Sequence, residues 1–164
     1  MEAGVRYMDL RFDYDPNGDT FRAFHLQWGQ SALTLLSEIH AFLITHPSEV
    51  MVLEISHLYT ETTSARKSAF RNAIITIFGE LLYMSRDGSF SVSLGDLREA
   101  RKRVIILSDD TGLNRSGEIW DSSIYIVTTY ANTPDAEIMF DANVHYLELY
   151  RLHVASGSPA LFKL

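Results

Sequence analysis

The first period in the chain is two. Val5, Tyr7 and Met8 are apolar or aromatic and leave Asp9 and Arg11 two apart, which in a strand turns both polar side chains to one side. The dense turn cluster Asp15-Pro16-Asn17-Gly18-Asp19 follows, so Val5 to Phe12 and Thr20 to Leu26 read as neighbouring strands, and hairpin geometry brings His25 near the first. The period then becomes helical. Leu35, Leu36, Ile39, Phe42 and Leu43 predict a helix over 31–46, with Ser31 as N-cap and Pro47 as the stop. Val50 to Ile55 reads as a short buried strand carrying one acid, Glu54, and Ser64 to Leu82 as a second helix with the stripe Phe70, Ile74, Ile77, Phe78 and Leu81.

Further on, Arg86-Asp87-Gly88 is a turn, Leu94 to Lys102 a short charged helix, and Val104 to Leu107 an apolar strand running into Ser108-Asp109-Asp110. Acids just past a strand's C-terminal end are typical of α/β active-site rims. A looser stretch from Thr111 to Gly117 leads to Trp120 and the β-rich run Ile124 to Thr129. Thr133 and Pro134 supply an N-cap and first-turn pair for a helix reaching Leu152, and Ala160 to Leu164 reads as a last strand. Strands alternating with helices predict a parallel α/β architecture. A closed eight-stranded barrel typically takes about 250 residues, so the expected form is an incomplete barrel.

Composition narrows the classes. With 164 residues, 46% hydrophobic and 21% charged, the chain suits one core and one domain, or part of one. A net charge of −7 argues against a general nucleic-acid or anionic-membrane binder, so any lipid contact is local. Having no cysteine excludes a disulfide framework and a thiolate metal site. No apolar run approaches the length of a membrane span, and Met1 leads directly into the strand signal, which raises the expectation of a piece of a longer gene product. Compartment is not readable from these features.

The residues that carry chemistry also carry a resemblance. GVRYMDLRF (Gly4 to Phe12) and FRAFHL (ending at Leu26) resemble two strands of the X region of phosphatidylinositol-specific phospholipases C. HPSEVMVLEISHLY (His46 to Tyr59), SLGDLREARKRVIIL (Ser93 to Leu107), Trp120 and YANTPD (Tyr130 to Asp135) are similar to later segments of that family, in order. The resemblance implies a distorted (β/α)8 barrel of the TIM type. It also implies cleavage of phosphatidylinositol by attack of the inositol 2-hydroxyl on phosphorus, giving diacylglycerol and a cyclic inositol phosphate.

By that resemblance His25 is the general acid, Arg11 the cation on the phosphate oxygens, and Asp9 the residue that orients a histidine or Arg11. Glu54, Ser56, His57 and Asp109 fall at positions expected to meet the substrate. Calcium-dependent members carry acids where this chain has Arg11 and Ser56, so the implied site needs no metal and no other cofactor. Implied partners are a phosphoinositide or other phosphodiester lipid headgroup and, transiently, a membrane surface; nucleic acid is not among them.

Three departures shape the expectations. The family's first histidine, the general base, has no counterpart in this sequence; Leu26 stands where the family has glycine; and Ser56 and Asp109 stand where bacterial members have basic residues. A piece lacking the first barrel strand and the last ones is expected to be inactive alone and, through unpaired edges, to aggregate. The competing class is a noncatalytic barrel that binds a phosphorylated ligand or a partner. Glu54 has two other readings: an ion pair with Arg6 or Arg11, or a metal site with Asp109 and Asp110 in a glycerophosphodiester-type phosphodiesterase. His40, His46, His145 and His153 read as helix-surface or helix-end residues, and Ser68, Ser91 and Ser93 lack a G-x-S-x-G setting.

Overall fold

The computed structural model describes residues 1, 4–56, 58, 62–128, 133–155 and 161–163. They form two compact units, Met1–Asp121 and Ser122–Leu164. The first unit is organised around β1 (Tyr7–Asp15), which turns Leu10, Phe12 and Tyr14 into the hydrophobic core and Tyr7, Asp9 and Arg11 to the opposite face. Its antiparallel partner is β2 (Thr20–Phe24), in the register Phe12↔Ala23 to Asp15↔Thr20. The turn residues between them are those the sequence predicts, but β1 runs three residues further than Phe12.

A third strand, β3 (Trp28–Ser31), pairs antiparallel with β2 and was not expected from the pattern. Four residues containing a glycine carry no usable period. Gly29 allows a close approach, because a Cβ there would meet the Ala23 Cβ at 3.0 Å and its carbonyl oxygen at 3.3 Å, and the neighbour would have to give by a few tenths of an ångström. Arg22 fastens this meander by donating to Asp15 at 3.0 Å and to the Gly29 carbonyl at 2.9 Å.

α1 (Ala32–Thr45) starts after Ser31 and buries Ala32, Leu36, Ile39, Phe42 and Leu43, close to the predicted stripe. Ser31 stands at the cap position without using its side chain as one. At the other end the Arg103 guanidinium donates to the Leu43 carbonyl at 2.5 Å, a cation on the negative end of the helix. The chain then enters β4 (Met51–Ser56), which lies parallel to β1, with Met51, Leu53 and Ile55 in the core.

α2 (Ser64–Phe78) covers the same face through Phe70, Ile74 and Phe78, and ends at Gly79 (φ 49), where a short 3₁₀ turn replaces the helix expected up to Leu82. α3 (Leu94–Glu99) is shorter than its pattern because Arg101 takes a left-handed backbone (φ 57). β5 (Val104–Ser108) pairs parallel with β4. α4 (Thr111–Asn114) occupies the stretch expected to be loose, and β6 (Trp120–Asp121) pairs parallel with β5. The strand order is β3-β2-β1-β4-β5-β6, an open sheet with four parallel members; the barrel expected from the alternation is not closed among the described residues.

The second unit contains α5 (Ser122–Tyr125), β7 (Ile126–Thr128), α6 (Ala136–Ala155) and β8 (Leu161–Lys163). β7 and β8 pair in parallel, so the last predicted strand exists. The cap of α6 differs from expectation. Asp135 accepts the Glu137 and Ile138 N–H groups at 3.0 and 3.1 Å, whereas Thr133 only braces Asp135, so the helix begins two residues later than Pro134.

Candidate functional site

The face of β1 that points away from the core carries Tyr7, Asp9 and Arg11, and the parallel register sets Val52, Glu54 and Ser56 of β4 directly beside them. Asp9 uses both carboxylate oxygens: Oδ1 accepts the Ser56 hydroxyl at 2.5 Å and Oδ2 accepts Arg11 Nη2 at 3.4 Å. The Arg11 and Asp9 side chains are 35% and 21% exposed, so water screens the pair while the guanidinium stays reachable by a ligand.

Glu54 is only 6% exposed and accepts the Tyr7 hydroxyl. Of the two arginines considered as its partners, Arg6 donates to Glu49 at 2.5 Å and Arg11 to Asp9. Burial holds the Tyr7 phenol far above its ordinary range, helped by the bond to Glu54 and by the charges of Glu54 and Asp9. The phenol therefore remains a donor. Tyr7 was not singled out from the sequence, although it shares the period-two face of Asp9 and was visible on that ground.

His25 lies just beyond β2, on the exposed turn into β3, and not on a strand as its pattern suggested. Its backbone N–H donates to the Gln27 carbonyl at 3.3 Å, and its imidazole makes no hydrogen bond among the described residues. The next residue, Leu26, has φ 66 and is 88% exposed. A left-handed backbone costs a residue with a Cβ about 1–2 kcal/mol, which gives the glycine expected at this position a physical reason.

Asp9, Arg11 and His25 line one cleft of about 310 Å³, together with Ala23, Phe24 and Gln27. Gln27 escaped the sequence reading because its place depends on the unpredicted turn. Glu54 and Ser56 stand behind this cleft through their bonds to Tyr7 and Asp9. Asp109 does not line it; it is exposed just beyond the end of β5, one residue past Ser108, which pairs with Ile55 of β4. Asp110 is engaged by Lys67 at 2.5 Å and by the Gly112 N–H at 2.8 Å. Glu54, Asp109 and Asp110 form no group suited to holding a metal among the described residues. His57 lies outside the described residues, as do Tyr59 and the 130–132 part of YANTPD.

Comparison with known proteins gives a consistent set of matches. No family model matches the chain. It is 29% identical over 132 residues to the PI-PLC X domain-containing protein 1 of Mus musculus, covering 76% of this chain and 36% of that protein. It is 39% identical over 70 residues to the mouse PI-PLC X domain-containing protein 2, covering 41% of this chain and 20% of that one. The solved phosphatidylinositol-specific phospholipase C from Listeria monocytogenes superposes with a TM-score of 0.69 at 18% identity, over 98% of this chain and 58% of the other. At that identity the likeness concerns the fold, which is of the phospholipase C type. The chain thus spans about a third of the first curated relative and under two thirds of the solved structure.

Proposed function

We propose that the chain is a member of the phosphatidylinositol-specific phospholipase C X-domain family, to which it is similar, and that the cleft beside β1 receives the phosphodiester of a phosphoinositide lipid. The observation that carries this reading is the convergence of Asp9, Arg11 and His25 on one cleft. A planar guanidinium offers two parallel N–H donors to the non-bridging phosphate oxygens, where charge grows in the transition state. The His25 imidazole protonates the lipid oxygen as its bond to phosphorus breaks, while the inositol 2-hydroxyl oxygen forms the new bond to phosphorus. The base that takes the hydroxyl proton is not assigned to a residue of this chain. Arg11 supplies positive charge beside Asp9, whose oxygens already hold a hydroxyl and a guanidinium, so the reaction is expected to run without a divalent cation.

A second reading, headgroup binding without turnover, has its own support. His25 is the one imidazole lining the cleft among the described residues, and it sits on an exposed turn next to a left-handed leucine. One experiment separates the two. The chain is incubated in EDTA with vesicles containing phosphatidylinositol, and both vesicle binding and release of water-soluble inositol phosphate are followed. Release that Arg11→Met and His25→Ala each abolish supports catalysis. Binding that needs Arg11 without release supports the second reading, and neither binding nor release refutes both.

A further inference from the structure

Ser56, expected to contact substrate, is 5% exposed at the end of β4, in register with Arg11. Its hydroxyl donates to Asp9 Oδ1 at 2.5 Å across 47 residues of sequence. A serine hydroxyl has one proton to donate, so this side chain cannot also donate to a ligand while it holds Asp9. The bond holds the carboxylate about its broad terminal torsion and turns Oδ2 towards Arg11 Nη2 at 3.4 Å.

We infer that Ser56 is a positioning residue: it aims the Arg11 guanidinium into the cleft through Asp9. That Arg11's aim matters for a phosphate rests on the function proposed above; the ordering itself does not. A neutral donor suits the task. A carboxylate at this position would compete with Asp9 for the one guanidinium, and an ammonium would draw Asp9 away from it, whereas a hydroxyl orients the carboxylate without changing the charge of the cluster.

The test is proton exchange at the Arg11 guanidinium, read by nitrogen-15 NMR on the 164-residue chain. Ser56→Ala and Asp9→Asn are each expected to speed that exchange roughly two- to fivefold, the scale of a water-screened ion pair. The double variant should be no faster than Asp9→Asn alone, because Ser56 acts through Asp9. Unchanged exchange in Ser56→Ala, or additive effects in the double variant, overturns the inference. Should the alanine chain fail to fold, Ser56→Thr and Ser56→Val differ only in the hydroxyl, and equal exchange in that pair overturns it too. Inorganic phosphate titrated into the wild-type chain tests the function separately. If the Arg11 resonance does not move while the cycle behaves as stated, the headgroup reading fails and the positioning role stands.

Discussion

Arg11 and His25 line one cleft from two unlike kinds of backbone. Arg11 stands on a nine-residue strand, at the end of its ladder with β4 and just before its ladder with β2, beside a carboxylate that Ser56 holds from the neighbouring strand. His25 stands on an exposed turn between two short strands, next to a leucine in a left-handed conformation. The contrast teaches which half of the proposed chemistry would be preorganised. Stabilising charge demands donors whose place is set before the ligand arrives, and a buried parallel ladder provides that. On the function proposed above, His25 would give its proton from an exposed turn and not from a ladder.

The widest separation between the halves is expected in phosphate recognition. Arg11→Met should weaken headgroup binding and, where turnover is seen, lower the rate by roughly 10²–10³-fold, the usual scale for losing one charge-stabilising donor. His25→Ala should lower turnover by about 10²-fold or more while leaving vesicle binding nearly intact. Equal loss of binding in both variants, measured by vesicle sedimentation, would erase the distinction.

Stability should divide along the same line. Tyr7→Phe strips a donor from the buried Glu54 and is expected to cost about 1–3 kcal/mol in urea melts, whereas His25→Ala should stay within about 0.5 kcal/mol. The phenol also gives the ladder a pH signature. Its folded pKa lies above the unfolded value of 10.0, so the folded state holds the proton more tightly. The stabilisation is then complete below about pH 10 and declines as pH rises beyond it. Tyr14 and Tyr83 shift in the same direction, so the alkaline decline should shrink, not vanish, in Tyr7→Phe.

The smallest expected effect lies in the turn. Leu26→Gly relieves a left-handed leucine and should raise stability by up to about 1 kcal/mol, the gain being reduced by the greater freedom of glycine in the unfolded chain. A lower melting temperature for Leu26→Gly would mean that the exposed leucine contributes a contact worth more than the relieved strain.

Much of this was legible before any coordinates. The period of two put Asp9 and Arg11 on one face, the helical stripes marked α1 almost to the residue and the start of α2, and apolar runs marked β4 and β5. Those features are local, since a strand or helix displays its buried face within a few neighbours. β3 was missed because it is too short to show a period, and α3 was overestimated because Arg101 breaks the helix without a glycine or proline to signal it. In the candidate site, the shared face of Asp9 and Arg11 could be read from their spacing. Tyr7 could have been added by the same rule, but what holds Glu54 could not.

The sequence by itself determined which residues share a face of each strand and that a cation, an acid and an imidazole come within one hairpin, because side-chain alternation and turn chemistry act over a few residues. Only the tertiary structure decided that Ser56 meets Asp9 and that Tyr7 meets Glu54. The physical reason is register. Parallel strands have no connecting turn to set their offset, so the match of Asp9 with Glu54 and of Arg11 with Ser56 follows from how α1 packs its apolar stripe across the sheet, a sum over distant contacts that local spacing does not encode.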